Sequence, residues 1–183
     1  MHFPHAYKAC EQNETIRHHS GNGKPVIDYD LSRRYPETWK TMEKLVDLGL
    51  ARSIGLSNFN ILKTKRILST ARITPAVNQV EIHPYFPQQE LLEVSSKHGI
   101  LLMAHQPLGG RPVGVVVGSN KPFPTADEKI NEIASRCGMS PAQVCLSWVV
   151  QRGIPAVPKS VQVAHMMQNL ELTRLSDDDF RAV

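Results

Sequence analysis

Residues 75–104 read PAVNQVEIHPYFPQQELLEVSSKHGILLMA, and this stretch decides the fold. PAVNQVEI predicts a strand. By period two it places Gln79 and Glu81 on one face, and it runs into His83-Pro84-Tyr85. QQELLEVSSKHG carries a helical pattern that stops at Gly99. ILLMA is a continuous apolar run, the pattern of a strand buried on both faces. Strand, helix and strand in about 30 residues make a βαβ unit, and such units close a parallel sheet by right-handed crossovers.

The same grammar extends both ways. Upstream, PETWKTMEKLVDLG (36–49) has proline at the first helical position, Trp39, Met42, Leu45 and Val46 on one face, and Gly49 as its stop. LARSIGLS follows as a short strand, and Asn60 is placed to cap a helix over NILKTKRILST. Downstream, TADEKINEIASRCG pairs Thr125 with Glu128 as a capping box and repeats Ile130, Ile133, Ala134 and Cys137 at helical spacing. SPAQVCLSWVVQRG has Ser140 as cap, Pro141 in the first turn and Gln143 three past the cap. IPAVP predicts a strand, a helix follows near 162–169, and Ser176 caps another at LSDDDFRAV.

Strand–helix units therefore begin near 51, 76, 100 and 154. The expected fold class is α/β: a partial (β/α)8 barrel of roughly the last four to five units, since a full barrel needs about 200 residues or more. Residues 1–183 read as one incomplete barrel domain. Residues 3–35, with HHSGNGKP in the middle, read as a long loop. The segment 105–124 reads as another loop despite Val113–Val117.

Composition narrows the class. The 183 residues are 41% hydrophobic and 21% charged, with net charge +4. That is a globular composition, and no apolar run reaches the ~20 residues of a membrane helix. The basic residues are dispersed apart from Lys63, Lys65 and Arg66, which excludes a nucleic-acid stripe interleaved with aromatics. Cys10, Cys137 and Cys145 fit neither a zinc site nor a disulfide framework. Cys137 and Cys145 are expected to be buried thiols, and a reducing cytoplasm is the expected compartment. No His or acid spacing marks a metal site. A hydrolase using His2, His5, His83 and His105 around a metal is the weakest reading.

Polar residues at the C-terminal ends of parallel strands are where such folds place chemistry. Ser57-Asn58 stands at the first such end and equally suits helix capping. Glu81 reads either as a site acid or as a buried structural one. His83 reads first as a turn histidine bonded locally. The third strand ends in His105-Gln106. Lys159-Ser160, a cation and a hydroxyl directly before a helix, make an anion site. Together these suggest a nucleotide laid across strand ends. There is no G-x-G-x-x-G and no G-x-S-x-G, which disfavours a Rossmann nucleotide fold and a hydrolase elbow.

ARSIGLSNFN (51–60), PAVNQVEIHPY (75–85), PLGG (107–110) and IPAVPKS (154–160), with Gln168-Asn169 beyond, together resemble the aldo-keto reductase superfamily, from His2 to the end of the chain. The resemblance implies a (β/α)8 barrel that reduces aldehydes and ketones with NADPH, less often NADH. Carried over, His2 matches the histidine of a His-x-Pro step that orients and polarises the carbonyl. Ser57, Asn58 and Gln79 match the partners of the nicotinamide carboxamide. Leu108 matches the loop along the pyrophosphate, Lys159 and Ser160 the holders of the 2′-phosphate, and Gln168 and Asn169 the adenine contacts.

His105 stands where the family has a tyrosine stacked on the nicotinamide ring, which predicts weaker stacking. His165 stands where an arginine clamps the 2′-phosphate, which predicts a lower NADPH preference. The family's acid is a tyrosine beside a lysine, with a nearby aspartate, all before the fourth strand. Tyr7, Tyr29, Tyr35 and Tyr85 all follow His2, and none matches. The resemblance thus implies the C-terminal part of a reductase: a truncated, inactive chain, with His2 mobile because no strand precedes it. The alternative is a noncatalytic module that binds cofactor or a partner. The implied partners are a small carbonyl substrate for the parent enzyme, no nucleic acid, no membrane, and self-association through exposed strand edges.

Overall fold

The computed structural model describes residues 1–9, 21–110 and 123–183. Expectations that fall on 10–20 and 111–122, including Cys10 and the Val113–Val117 stretch, lie outside the described residues. The described residues form two compact units, Met1–Asn78 with Val94–Ile100, and Gln79–Glu93 with Leu101–Val183.

The first unit opens with a feature the sequence did not announce. Inside the expected loop, β1 (Ala6–Tyr7) pairs antiparallel with β2 (Ile27–Asp28), Ala6 opposite Asp28 and Tyr7 opposite Ile27. Asp28 then caps α1 (Tyr29–Arg33), its Oδ1 accepting from the Leu31 amide at 2.9 Å. Helix α2 (Tyr35–Asp47) has its proline in the first turn, where a missing N–H costs nothing. Its apolar face turns Trp39 fully inward, and the indole Nε1 donates to the Ile73 carbonyl at 3.1 Å. Tyr35, Trp39, Ile54, Leu56, Phe59 and Ile67 form the core, with Met42 and Val46 against it. Leu45 departs from the expected face and is 39% exposed.

β3 (Leu56–Ser57) is short, and β4 (Val77–Glu81) is its hydrogen-bonded neighbour. A side chain at Gly55 would stand 2.9 Å from the Val77 carbonyl oxygen, so the close approach of the two strands demands glycine there. Helix α3 (Ile61–Leu68) is capped by Asn60 as its sequence implies, Oδ1 accepting from Lys63 N at 2.9 Å.

In the second unit the remainder of β4 runs beside β5 (Leu101–His105). Burial in both strands alternates. Val80, Leu102 and Ala104 are buried, while Leu101 is 43% exposed, so ILLMA buries one face rather than two. Helix α4 (Gln89–Lys97) joins the two strands in sequence. The segment IPAVP forms no strand. It makes a single parallel bridge, with Ala104 N donating to Pro155 O at 2.8 Å and Val157 N to Ala104 O at 2.9 Å. Pro155 and Pro158 lack the amides a longer ladder needs.

Helix α5 (Glu128–Cys137) starts later than its capping-box pattern suggests. Pro124–Ala126 closes a 3-10 turn, so Asp127 rather than Thr125 is the cap, accepting from the Lys129 and Ile130 amides at 2.9 and 3.2 Å. Helix α6 (Pro141–Gln151) keeps the expected capping box between Ser140 and Gln143. Its residues Val144–Val149 are buried, Cys145 completely. Cys137, in the last turn of α5, is exposed, contrary to expectation. Helices α7 (Val163–Leu170) and α8 (Asp177–Ala182) complete the unit, and Arg136 ties α5 to α8 through Asp179. Among the described residues no helix is long and apolar enough to cross a membrane.

Candidate cofactor site

The site begins with why each functional residue stands where it does. In the first unit Asn78, fully buried, accepts from the Phe59 amide at 3.4 Å and donates to the Phe59 carbonyl at 2.8 Å. One side-chain amide thus substitutes for the ladder that β3 has lost, and it fixes the turn that carries Ser57 and Asn58. Asn58 sits at φ 62°, a left-handed conformation asparagine tolerates better than most side chains. Its Nδ2 donates both to Ser57 Oγ and to the His2 carbonyl, each at 3.1 Å.

His2 itself is anchored through its main chain. Beside the Asn58 bond, Met1 N donates to Gly55 O at 2.7 Å, and Met1 packs on the core. The main chain around His2 is thus hydrogen-bonded on both sides, through the Met1 amine and its own carbonyl. Its ring is exposed and lies nearly parallel to Phe3, with centroids 4.3 Å apart.

In the second unit Gln79 and His105 lie on the neighbouring strands β4 and β5. Gln79 Nε2 donates to Met103 Sδ at 3.3 Å, and the His105 carbonyl accepts from Ile82 N at 3.4 Å. Beside them, Glu81 Oε1 meets His83 Nε2 at 3.1 Å. Glu81 is 40% exposed in its side chain, so it is not the buried acid the sequence allowed, whereas His83 is buried. Among the described residues no group of three or more His, Cys, Asp or Glu side chains is arranged to hold a metal ion.

The remaining predicted residues converge. Leu108 after β5, Lys159 and Ser160 after the bridge segment, and His165, Gln168 and Asn169 on α7 line one cavity of about 360 Å3. Thr125 and the start of α6, Ser140 to Ala142, complete its wall. These four the sequence offered only as caps and helix residues, because nothing local says which cap will face a cavity. The hydroxyls are partly committed. Ser160 Oγ accepts from Gln162 N at 3.1 Å, and Ser140 Oγ serves its own capping box.

Among the described residues no carboxylate lines the cavity, and Lys159 makes no ion pair with any of them. A cation, an imidazole, hydroxyls, two amide side chains and a leucine wall form a donor set for an anionic, ring-bearing ligand. They fit the phosphate-and-adenine end of a nicotinamide nucleotide.

The chain matches known proteins over most of its length. The model of the Aldo/keto reductase family matches residues 2–183. The chain is 42% identical over 161 residues to the NADP-dependent D-sorbitol-6-phosphate dehydrogenase of Malus domestica, covering 86% of this chain and 51% of that protein. It is 40% identical over 172 residues to the Gallus gallus aldo-keto reductase family 1 member A1, covering 94% of this chain and 50% of the relative. Among solved structures, the aldose reductase from Schistosoma japonicum superposes with TM-score 0.82 at 35% identity, covering 99% of this chain and 55% of that one. The chain spans about half the length of the curated relatives it matches. Its α/β fold corresponds to part of a (β/α)8 barrel.

Proposed function

As the chain belongs to the aldo-keto reductase family, we propose that it carries the nucleotide-holding part of an NADPH-dependent reductase of aldehydes and ketones, with NADH as the lesser alternative. The observation that supports this most is one cavity, with no carboxylate among its described lining residues, into which Leu108, Lys159, Ser160, His165, Gln168 and Asn169 converge from separate segments. Two relatives, the sorbitol-6-phosphate dehydrogenase and a glycerol 2-dehydrogenase of Hypocrea jecorina, carry NADP in their names.

In this reading Lys159 and Ser160 hold the 2′-phosphate, with His165 beside them as a weaker cation than arginine. Gln168 and Asn169 meet the adenine, and Leu108 borders the pyrophosphate. Ser57, Asn58 and Gln79 orient the nicotinamide carboxamide, and the His105 ring offers a small stacking platform. His2 donates toward the carbonyl oxygen of the substrate and polarises it. The reduced nucleotide, when bound, supplies the hydride. A reducing cytoplasm suits the free thiols of Cys137 and Cys145.

The proton is a different matter. The family's acid is a tyrosine made more acidic by a lysine. Tyr85 is driven the other way: its hydroxyl donates to Asp127 Oδ2 at 2.6 Å, which pushes it up to about 12. Tyr35 is buried edge-on against Phe59. These observations favour a second reading of the 183 residues taken alone, a module that binds nucleotide without turning over substrate.

One experiment covers both readings. The chain is titrated with NADP+ by calorimetry and then assayed with a small aldehyde and NADPH. Saturable binding without turnover is the expected pair. Turnover on the order of 1 s−1 or faster would contradict the noncatalytic reading, and absence of binding would contradict both.

A further inference from the structure

A second cavity, of about 480 Å3, lies within the first unit, walled by Pro4-His5, β2, α1, the first residue of α2 and one side of α3. None of its lining residues is shared with the cavity of Lys159. Three permanent cations, Arg33, Lys63 and Arg66, line it together with His5, and among the described residues no carboxylate does. None of the three makes an ion pair with a described residue.

Arg66 is held in place rather than solvated freely. Its guanidinium lies over the Tyr35 ring, 5.2 Å from the centroid, and Nη2 donates to the Arg33 carbonyl at 3.2 Å. Tyr35 is itself fixed in the core against Phe59. A guanidinium preset on a buried ring loses little freedom when it grips an anion. The positive field is felt by His5, which binds its proton less readily than usual, first through burial and then through Lys63. Apart from Ser32 the other lining is Pro4, Tyr35 and the apolar or aromatic Ile27, Tyr29 and Leu62, of which Tyr29 and Leu62 are 68% and 77% exposed.

We propose that this cavity binds a small phosphate monoester with a planar aromatic body, its phosphate on Arg33, Lys63 and Arg66 and its ring against Ile27, Tyr29 and Leu62. A phosphate dianion matches the surplus of positive charge better than a single carboxylate, and Arg–phosphate pairing is bidentate. The volume lies within the ~300–1,000 Å3 typical of small-molecule pockets. The cavity is built largely from residues 4–35, the segment whose pattern is not carried over from the family. The proposal stands apart from the nucleotide reading and can fail without it.

Phenyl phosphate is the probe, titrated into the full chain first without and then with increasing NADP+, with heat and the His5 ring signals followed together. Saturable binding is expected, with the His5 titration midpoint rising as the dianion offsets Lys63. Arg33→Gln and Lys63→Gln each weaken binding about fivefold or more while NADP+ affinity stays unchanged. Arg33 is an exposed side chain, so its variant keeps the test valid if Lys63→Gln fails to fold. Phenol and inorganic phosphate each bind at least about fivefold less tightly than the ester. The proposal is overturned by lack of saturation, by binding undiminished in both variants, by inorganic phosphate binding equally well, or by displacement of the probe as NADP+ is raised.

Discussion

The side-chain amide of Asn58 holds the main-chain carbonyl of His2 at 3.1 Å, so the residue matched to the carboxamide partner also positions the residue matched to the carbonyl polariser. The link depends on a left-handed backbone at Asn58, φ 62°. Asn58→Ala loses the hydrogen bonds and strains the backbone, and should lower unfolding stability by about 1–3 kcal/mol. Asn58→Gly relieves the strain and should recover about 1 kcal/mol of that loss. Urea unfolding of the three proteins checks the order. Equal stability of the Ala and Gly variants would remove the backbone argument.

His165 faces the cavity of Lys159 and offers an imidazole where a guanidinium could fork onto a phosphate. His165→Arg should tighten NADP+ binding about tenfold, worth ~1.4 kcal/mol, while leaving NAD+ binding nearly unchanged. Calorimetric titration with both nucleotides reads the difference. Equal gains for the two would mean that the side chain meets some part of the nucleotide other than the 2′-phosphate.

Tyr85 and Asp127 shift one another in opposite directions. The Tyr85 hydroxyl, and after it the Ile130 amide, hold the Asp127 carboxyl below the usual carboxylate range, while the same bond pushes Tyr85 up to about 12. The lowered Asp127 stabilises the fold above the ordinary carboxylate value, and that share is lost as pH falls through its lowered native value. The raised Tyr85 stabilises the fold below the ordinary tyrosine value of about 10, and that share is lost as pH climbs toward 12. The stability gap between the parent chain and Tyr85→Phe should therefore be widest near neutrality and shrink at both ends. Urea midpoints at about pH 3, 7 and 11 measure it. Part of the acid limb persists in the variant, because the Lys129 and Ile130 amides still cap Asp127. A gap constant across that range would contradict the pairing.

The cysteines should separate by reactivity. Cys145 is fully buried, and burial pushes its thiol up to about 12, whereas Cys137 is exposed. Iodoacetamide near neutral pH should label Cys137 in the native chain and reach Cys145 only after unfolding. Peptide mass spectrometry reads each site. Native labelling of Cys145 at the Cys137 rate would show that α6 is not packed as described.

What could be read in advance was local. Asn60, Ser140 with Gln143, and Ser176 cap the helices their spacing announces, because a cap is settled within four residues. Thr125 failed as a cap for a local reason that the capping-box pattern outranked: Pro124 starts a 3-10 turn and hands the role to Asp127. The β1–β2 pair was invisible, since Ala6 and Asp28 find each other across about twenty residues of polar chain. Strand length was overstated at IPAVP, where two prolines remove ladder donors, and at 50–57, where Asn78 replaces part of a ladder from outside.

For the site, residue types at a strand end located Lys159 and Ser160, and the family resemblance supplied Leu108, His165, Gln168 and Asn169, which line the same cavity. Thr125, Ser140, Pro141 and Ala142 were missed as lining residues because convergence on a cavity is a tertiary fact. Cys137 and Leu45 obeyed helical spacing yet stayed exposed, since an apolar stripe is wider than the surface that covers it.

The central claim is that the Lys159 cavity receives the 2′-phosphoadenosine end of the nucleotide, and adenosine 2′,5′-bisphosphate isolates that end. Titrated into the chain, it should bind saturably. It should bind about tenfold more tightly than adenosine 5′-monophosphate, and Lys159→Gln should erase that advantage. Equal binding of the two nucleotides, or an advantage that survives Lys159→Gln, would contradict the account.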